Sequence, residues 1–189
     1  MFDGQMKTAI LITIVIFFAS LTAGWVGTSS NPAMGDEMMK IFEKDIASQL
    51  KGDNLYEMAV MLFANNLEAC ILLFLGGATC GILTVFILSL NGLVIGAIIE
   101  IVHHDHSPVF VATAILPHGI FEVPAFVIAG ALGLCLAWSF VAEWKTGVAD
   151  MAAYAQGYAR LFILYVLPLV AVAACVEAFI TPVVIHLVV

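Results

Sequence analysis

The sequence has 189 residues, of which 63% are hydrophobic and 11% charged, and its mean hydropathy is +1.11. Soluble domains carry roughly half apolar residues, so this composition excludes an ordinary soluble enzyme and points to a chain whose solvent is lipid. The formal net charge of −8 does not describe an acidic docking surface, because several acids lie inside apolar runs. The basic residues form no tract of the kind that binds nucleic acid.

A spanning helix needs about 20 mostly apolar residues, and the chain offers five such stretches. The first covers about residues 7–27, with Trp25 as an interfacial anchor. It is longer than a usual signal-peptide core and no clear small-residue cleavage site follows, so it is expected to be a retained span. Next comes a segment at about residues 34–52. Met34, Met38, Ile41, Phe42, Ile46 and Leu50 recur there at helical spacing, with charges between them. That pattern predicts an amphipathic helix at the membrane surface, starting near Gly35-Asp36 and stopping near Lys51-Gly52.

The second span is expected over about residues 55–75, ending at Gly76-Gly77, and the third over about 78–102. Within the third, Gly92 and Gly96 form a small-xxx-small face that admits another helix at close range. "HHDH", His103 to His106, reads as a solvated turn, with surface metal binding as the alternative. The fourth span, about 108–138, contains Pro117 and Pro124 and is expected to be broken there. A short interfacial stretch follows, with Asp150 as N-cap and Tyr154 and Tyr158 one turn apart. The fifth span, about 160–188, contains Pro168 and Pro182. The fold class is therefore all-α, a polytopic membrane helix bundle forming a single membrane domain over residues 1–189. Orientation is a tie under the positive-inside rule: Lys7, Lys145 and Arg160 fall on one side, Lys40, Lys44 and Lys51 on the other. Cys70, Cys80, Cys135 and Cys175 form no C-x-x-C pair and read as small buried hydrophobes.

Charged side chains in hydrocarbon cost about 2.5–3.5 kcal/mol at a helix centre, so they face the bundle interior and find partners. Glu68 sits in "FANNLEAC" beside Asn65 and Asn66, and Asn65 and Glu68 share a helix face. His118 and Glu122, in "ILPHGIFEVPAF", are spaced i, i+4 and point the same way on a helix. Glu177 sits in "AACVEAFITP" of the last span, and Asn91 precedes Gly92 in the third. No Lys or Arg lies in the interior of a span, so the three glutamates have no fixed basic side chain at their own depth. Three readings stay open: a proton-sharing polar core, a divalent metal site, or an ion pathway. A divalent metal would satisfy carboxylates and a neutral imidazole together. Zinc suits a set of His118, Glu122 and Glu177, with Glu68, Asn66, Asn65 and Asn91 as further ligands or supports. If the centre is hydrolytic, Glu68 is the candidate general base. The zincin signature H-E-x-x-H and a Ser/His/Asp set are both absent.

"FANN" followed by Gly76 and Gly77, then "NGLVIG", "HGIFEVPA" and "AACVEAFITP", resembles the stage II sporulation protein M family of integral membrane proteins. The resemblance covers about residues 63–182. It implies a compact multi-span protein of the cell membrane. In spore formers it implies engulfment, with peptidoglycan-degrading enzymes held in a membrane complex. Relatives also occur in prokaryotes that do not sporulate. The matched polar positions are Asn66, Asn91, His118, Glu122 and Glu177. The expected role is a membrane scaffold or complex component, with an intramembrane metal-dependent hydrolase and an ion or small-solute transporter as alternatives. Its partners would be lipid, other membrane proteins and a second copy, the homodimer resting on the Gly92/Gly96 face and the amphipathic helix.

Overall fold

The structure, a computed structural model, describes residues 2–31, 54–147 and 150–188. The amphipathic segment expected at 34–52 lies outside the described residues. The chain forms helices α1 (Phe2–Ser30), α2 (Leu55–Leu75), α3 (Ile82–Asp105), α4 (Pro108–Thr146), α5 (Met151–Leu161), α6 (Leu167–Cys175) and α7 (Thr181–Val188). A 3₁₀ turn at Gly76–Thr79 follows α2, and π-helical turns at Phe162–Val166 and Val176–Ile180 join α5, α6 and α7 into one rod. Among the described residues, five helices are long and apolar enough to cross a membrane: Gly4–Ser30, Leu55–Thr79, Ile82–His104, Pro108–Thr146 and Met151–Leu187. The all-α, five-span expectation holds. All but the third are longer than expected.

α4 is the mast of the bundle. In its most apolar stretch 72% of residues are buried, against 22–33% in the other four spans. Small residues explain this position. Ala125, Ala129, Gly130, Ala131, Gly133 and Ala137 are all buried and let neighbouring backbones come close. A Cβ on Gly133 would meet the carbonyl oxygen of Leu73 in α2, and one on Gly77 would meet the carbonyl oxygen of Gly133. Beside this crossing, the buried Thr84 hydroxyl donates to the Leu73 carbonyl at 2.9 Å and ties α3 to the end of α2.

The α2–α3 turn follows from its sequence. Thr79 donates through its hydroxyl to the Gly76 carbonyl at 2.7 Å and accepts from the Leu83 N–H at 3.0 Å. Cys80 and Gly81 then take left-handed φ of 54° and 83°, a pairing that needs glycine at one of the two positions. At the α4–α5 turn, Gly147 stops α4 at φ 65° and the Asp150 carboxylate accepts from the Ala153 N–H at 3.0 Å. The N-cap expected at Asp150 is therefore present. Tyr154 and Tyr158 stack with ring centroids 6.4 Å apart.

The Gly92–Gly96 face does receive a helix, and that helix belongs to the same chain. Cβ atoms on Gly92 and Gly96 would collide with the backbone of α1 at Phe17 and Leu21, and one on Gly24 would collide with Leu93. α1 and α3 run parallel here, and their seam ends where the Trp25 indole N–H donates to the Glu100 carboxylate. The glycine face invoked for a homodimer is occupied from within. Most of "HHDH" is helix rather than turn: α3 continues to Asp105, and only His106, at the bend that ends it, lies outside. His103, His104 and His106 are exposed, and His106 stacks on Phe110 with centroids 4.2 Å apart. All four cysteines are free; Cys70 and Cys135 are buried as expected, whereas Cys80 and Cys175 are exposed.

The expected break in the fourth span is absent. α4 runs without interruption through Pro117 and Pro124. Each proline removes one N–H from the ladder, and the buried run that begins at Ala125 holds the turns after Pro124 in register. The irregularity lies in the fifth span. Ahead of Pro168, the Leu167 N–H reaches back five residues to the Phe162 carbonyl. Ahead of Pro182, the Thr181 N–H does the same to the Val176 carbonyl. The Thr181 hydroxyl also donates to that carbonyl, at 3.3 Å. A widened turn gives each proline ring room that a regular turn would deny it.

Candidate metal centre

His118 and Glu122 lie on successive turns of α4, a third of the way along it. Their spacing works as expected: His118 Nε2 and a Glu122 oxygen are 4.0 Å apart, and both side chains are 16% exposed. Glu177 comes from the second π turn of the fifth span. Each of the three offers a ligand atom, and these atoms all lie within 4.8 Å of one another. Donors around zinc sit about 3.3–3.6 Å apart when its bonds are 2.0–2.2 Å long. Side-chain rotations of about 1 Å would therefore close the set.

Two observations bear on what this group can hold. His118 Nδ1 is buried and has no hydrogen-bond partner among the described residues. Such an orphaned buried atom costs about 1–3 kcal/mol, a cost that a water or ion on that nitrogen would relieve; it is not the Nε2 that faces Glu122. The second is the distance to the fixed positive charges among the described residues. Lys7 and Lys145 lie near the ends of their helices, and Arg160, exposed on α5, is seventeen residues before Glu177. At 1.5 Å per residue that is about 25 Å along the rod. The group has the donor chemistry of a small divalent-metal site, with one neutral imidazole and two carboxylates. An open apolar cleft of about 430 Å³ runs between the first turns of α4 and Val184 of α7. It ends at Pro117, one residue from His118.

The other expected site residues go elsewhere. Asn66 is buried on the face of α2 that also buries Cys70 and Leu73. Glu68 is exposed, as is Asn65. Helix geometry requires this: Glu68 is two residues from both Asn66 and Cys70, so it points about 160° away from them. The placement of Glu68 beside the centre is corrected accordingly, and the candidate general base faces outward. The Asn91 amide donates to the Ile87 carbonyl of its own helix at 2.9 Å and so spends a donor locally. The sequence reading missed the π turn that carries Glu177. Its signal was Pro182, five residues after Glu177.

Fold and centre together define a polytopic helical membrane protein with a half-buried polar group between its fourth and fifth spans. The chain belongs to the stage II sporulation protein M (SpoIIM) family, whose model matches residues 13–182. It is similar to uncharacterized protein MJ0793 of Methanocaldococcus jannaschii, 26% identical over 184 residues, covering 94% of this chain and 96% of that protein. It is also similar to uncharacterized protein MJ0706 of the same organism, 26% identical over 185 residues, covering 93% and 82% of the two chains. No solved structure matches it.

Proposed function

We propose that this protein is a cell-membrane scaffold or complex component whose bundle is locked by a divalent metal, zinc by preference, held by His118, Glu122 and Glu177. The observation that carries the reading is the convergence of three donors from two spans within 4.8 Å. The absence of any Lys or Arg in the interior of a span supports it. Metal binding would join α4 to the fifth span at the point where the rod is least regular. That is a structural task, suited to a protein that holds other membrane proteins in place. The hydrolytic alternative loses its candidate base, because Glu68 faces away. The transporter alternative loses the broken fourth helix that was to line its path.

Elemental analysis of protein purified without chelators tests the proposal. About one zinc or comparable divalent ion per chain is expected, falling to background in His118→Ala and Glu177→Gln. A metal-free wild-type protein, folded and thermally as stable as after zinc addition, would overturn it.

A further inference from the structure

The outer face of α2 carries polar groups where lipid should be. Asn65 and Glu68 are exposed, about 15 and 20 Å along a helix of about 31 Å, close to its middle. Among the described residues no hydrogen bond engages either side chain. A carboxyl group and an amide at that depth need partners that acyl chains cannot supply. The face is also patterned. Among its exposed residues, Glu57, Met61, Ala64, Glu68, Ile71 and Leu75 follow one another at steps of four, three, four, three and four, with the exposed Asn65 on the flank of this stripe. That alternation is the spacing of a seam between two helices crossing at about 20°.

We infer that this face of α2 is the seam of a two-fold homodimer, in which Asn65 and Glu68 of one copy meet the same pair in the second. Copies inserted in one membrane orientation place their α2 helices parallel about an axis along the bilayer normal. Asn65 supplies amide N–H donors and Glu68 carboxyl acceptors. A two-fold axis satisfies both pairs reciprocally, as an isologous contact requires. The small Ala64 precedes Glu68 by one turn in the stripe, with Asn65 on its flank, and leaves room for the longer polar side chains to cross. A second copy is favoured over an unlike partner because donor and acceptor are both present on one face in a self-complementary arrangement. The seam lies apart from the His118/Glu122/Glu177 group and does not depend on a metal there.

The test uses the full chain in lipid vesicles, with the exposed Cys80 and Cys175 replaced by serine. Ala64→Cys on the seam should oxidise to a disulfide-linked dimer of this chain. Leu11→Cys, 62% exposed on α1, should not. The double variant Asn65→Leu, Glu68→Leu should weaken dimerisation about tenfold, the loss expected of interhelical hydrogen bonds in lipid. Its helical circular dichroism and melting temperature should match the wild type in monomerising detergent, because both side chains face outward. No cross-link at residue 64, or a cross-link only to a protein of another mass, would overturn the inference. So would a dimer whose strength is unchanged in the double variant. Should the double variant fail to fold, the cross-link at residue 64 decides alone.

Discussion

The fourth and fifth spans each contain two internal prolines and answer them differently. α4 keeps one uninterrupted helix through Pro117 and Pro124. The fifth span inserts a π turn ahead of both Pro168 and Pro182. The difference follows from surroundings. α4 is enclosed by its neighbours over the thirteen residues after Pro124, so an extra residue there would rotate a whole packed face. The fifth span is less enclosed than α4, and its final helix, α7, is short enough to absorb a change of register. Membrane prolines therefore do not by themselves locate a break. The freedom of the helix beyond the proline decides it. The two solutions meet at the polar group: a regular i, i+4 pair presents His118 and Glu122, and a widened turn presents Glu177.

The comparison can be broken in graded steps. Gly133→Val attacks the packing that holds α4 regular, by driving a side chain into the Leu73 carbonyl. It should cost about 3 kcal/mol or more, seen as loss of a monodisperse folded species in detergent. His118→Ala or Glu177→Gln should abolish the proposed metal link between the spans. At metal concentrations near a hundred times the dissociation constant this costs about 2.7 kcal/mol, a fall in melting temperature of about 5–10 °C. Pro182→Ala returns an N–H to the ladder and lets the second π turn relax, a register change of about 100°. Metal affinity measured by competition with a zinc chelator should drop about tenfold, whereas Pro117→Ala should leave it near wild type. Equal effects of the two proline changes would contradict the contrast drawn between the spans. Trp25→Phe, outside both spans, removes only the indole bond to Glu100. It should cost about 1 kcal/mol, read from thermal unfolding.

The spans were legible because lipid imposes length and apolarity on each helix separately, and both are local properties of the chain. The caps at Asp150 and Ser107 were local too; the first was anticipated, and the second is seen in the Phe110 N–H donating to the Ser107 hydroxyl at 3.3 Å. The His118/Glu122 pair needed only helical periodicity. The approach of Glu177 to that pair was suggested by the lack of basic residues at its depth. What escaped was relational. Asn65, Asn66 and Glu68 are near one another in sequence, yet one is buried and two are exposed. Which face of α2 meets α4 is set by the small residues of α4, a property of another segment. The Gly92–Gly96 face announced a close neighbour but could not say that Gly24 of α1 supplies it. The prolines announced irregularity and left its location to packing.

The central claim is that His118, Glu122 and Glu177 share one divalent ion between the fourth and fifth spans. The most direct measurement is an experimental structure with anomalous scattering recorded on both sides of the zinc edge. The account predicts one peak, bonded at about 2.0–2.2 Å to all three side chains. A well-ordered centre with no peak, its carboxyl groups hydrogen-bonded to each other and to His118, would contradict it.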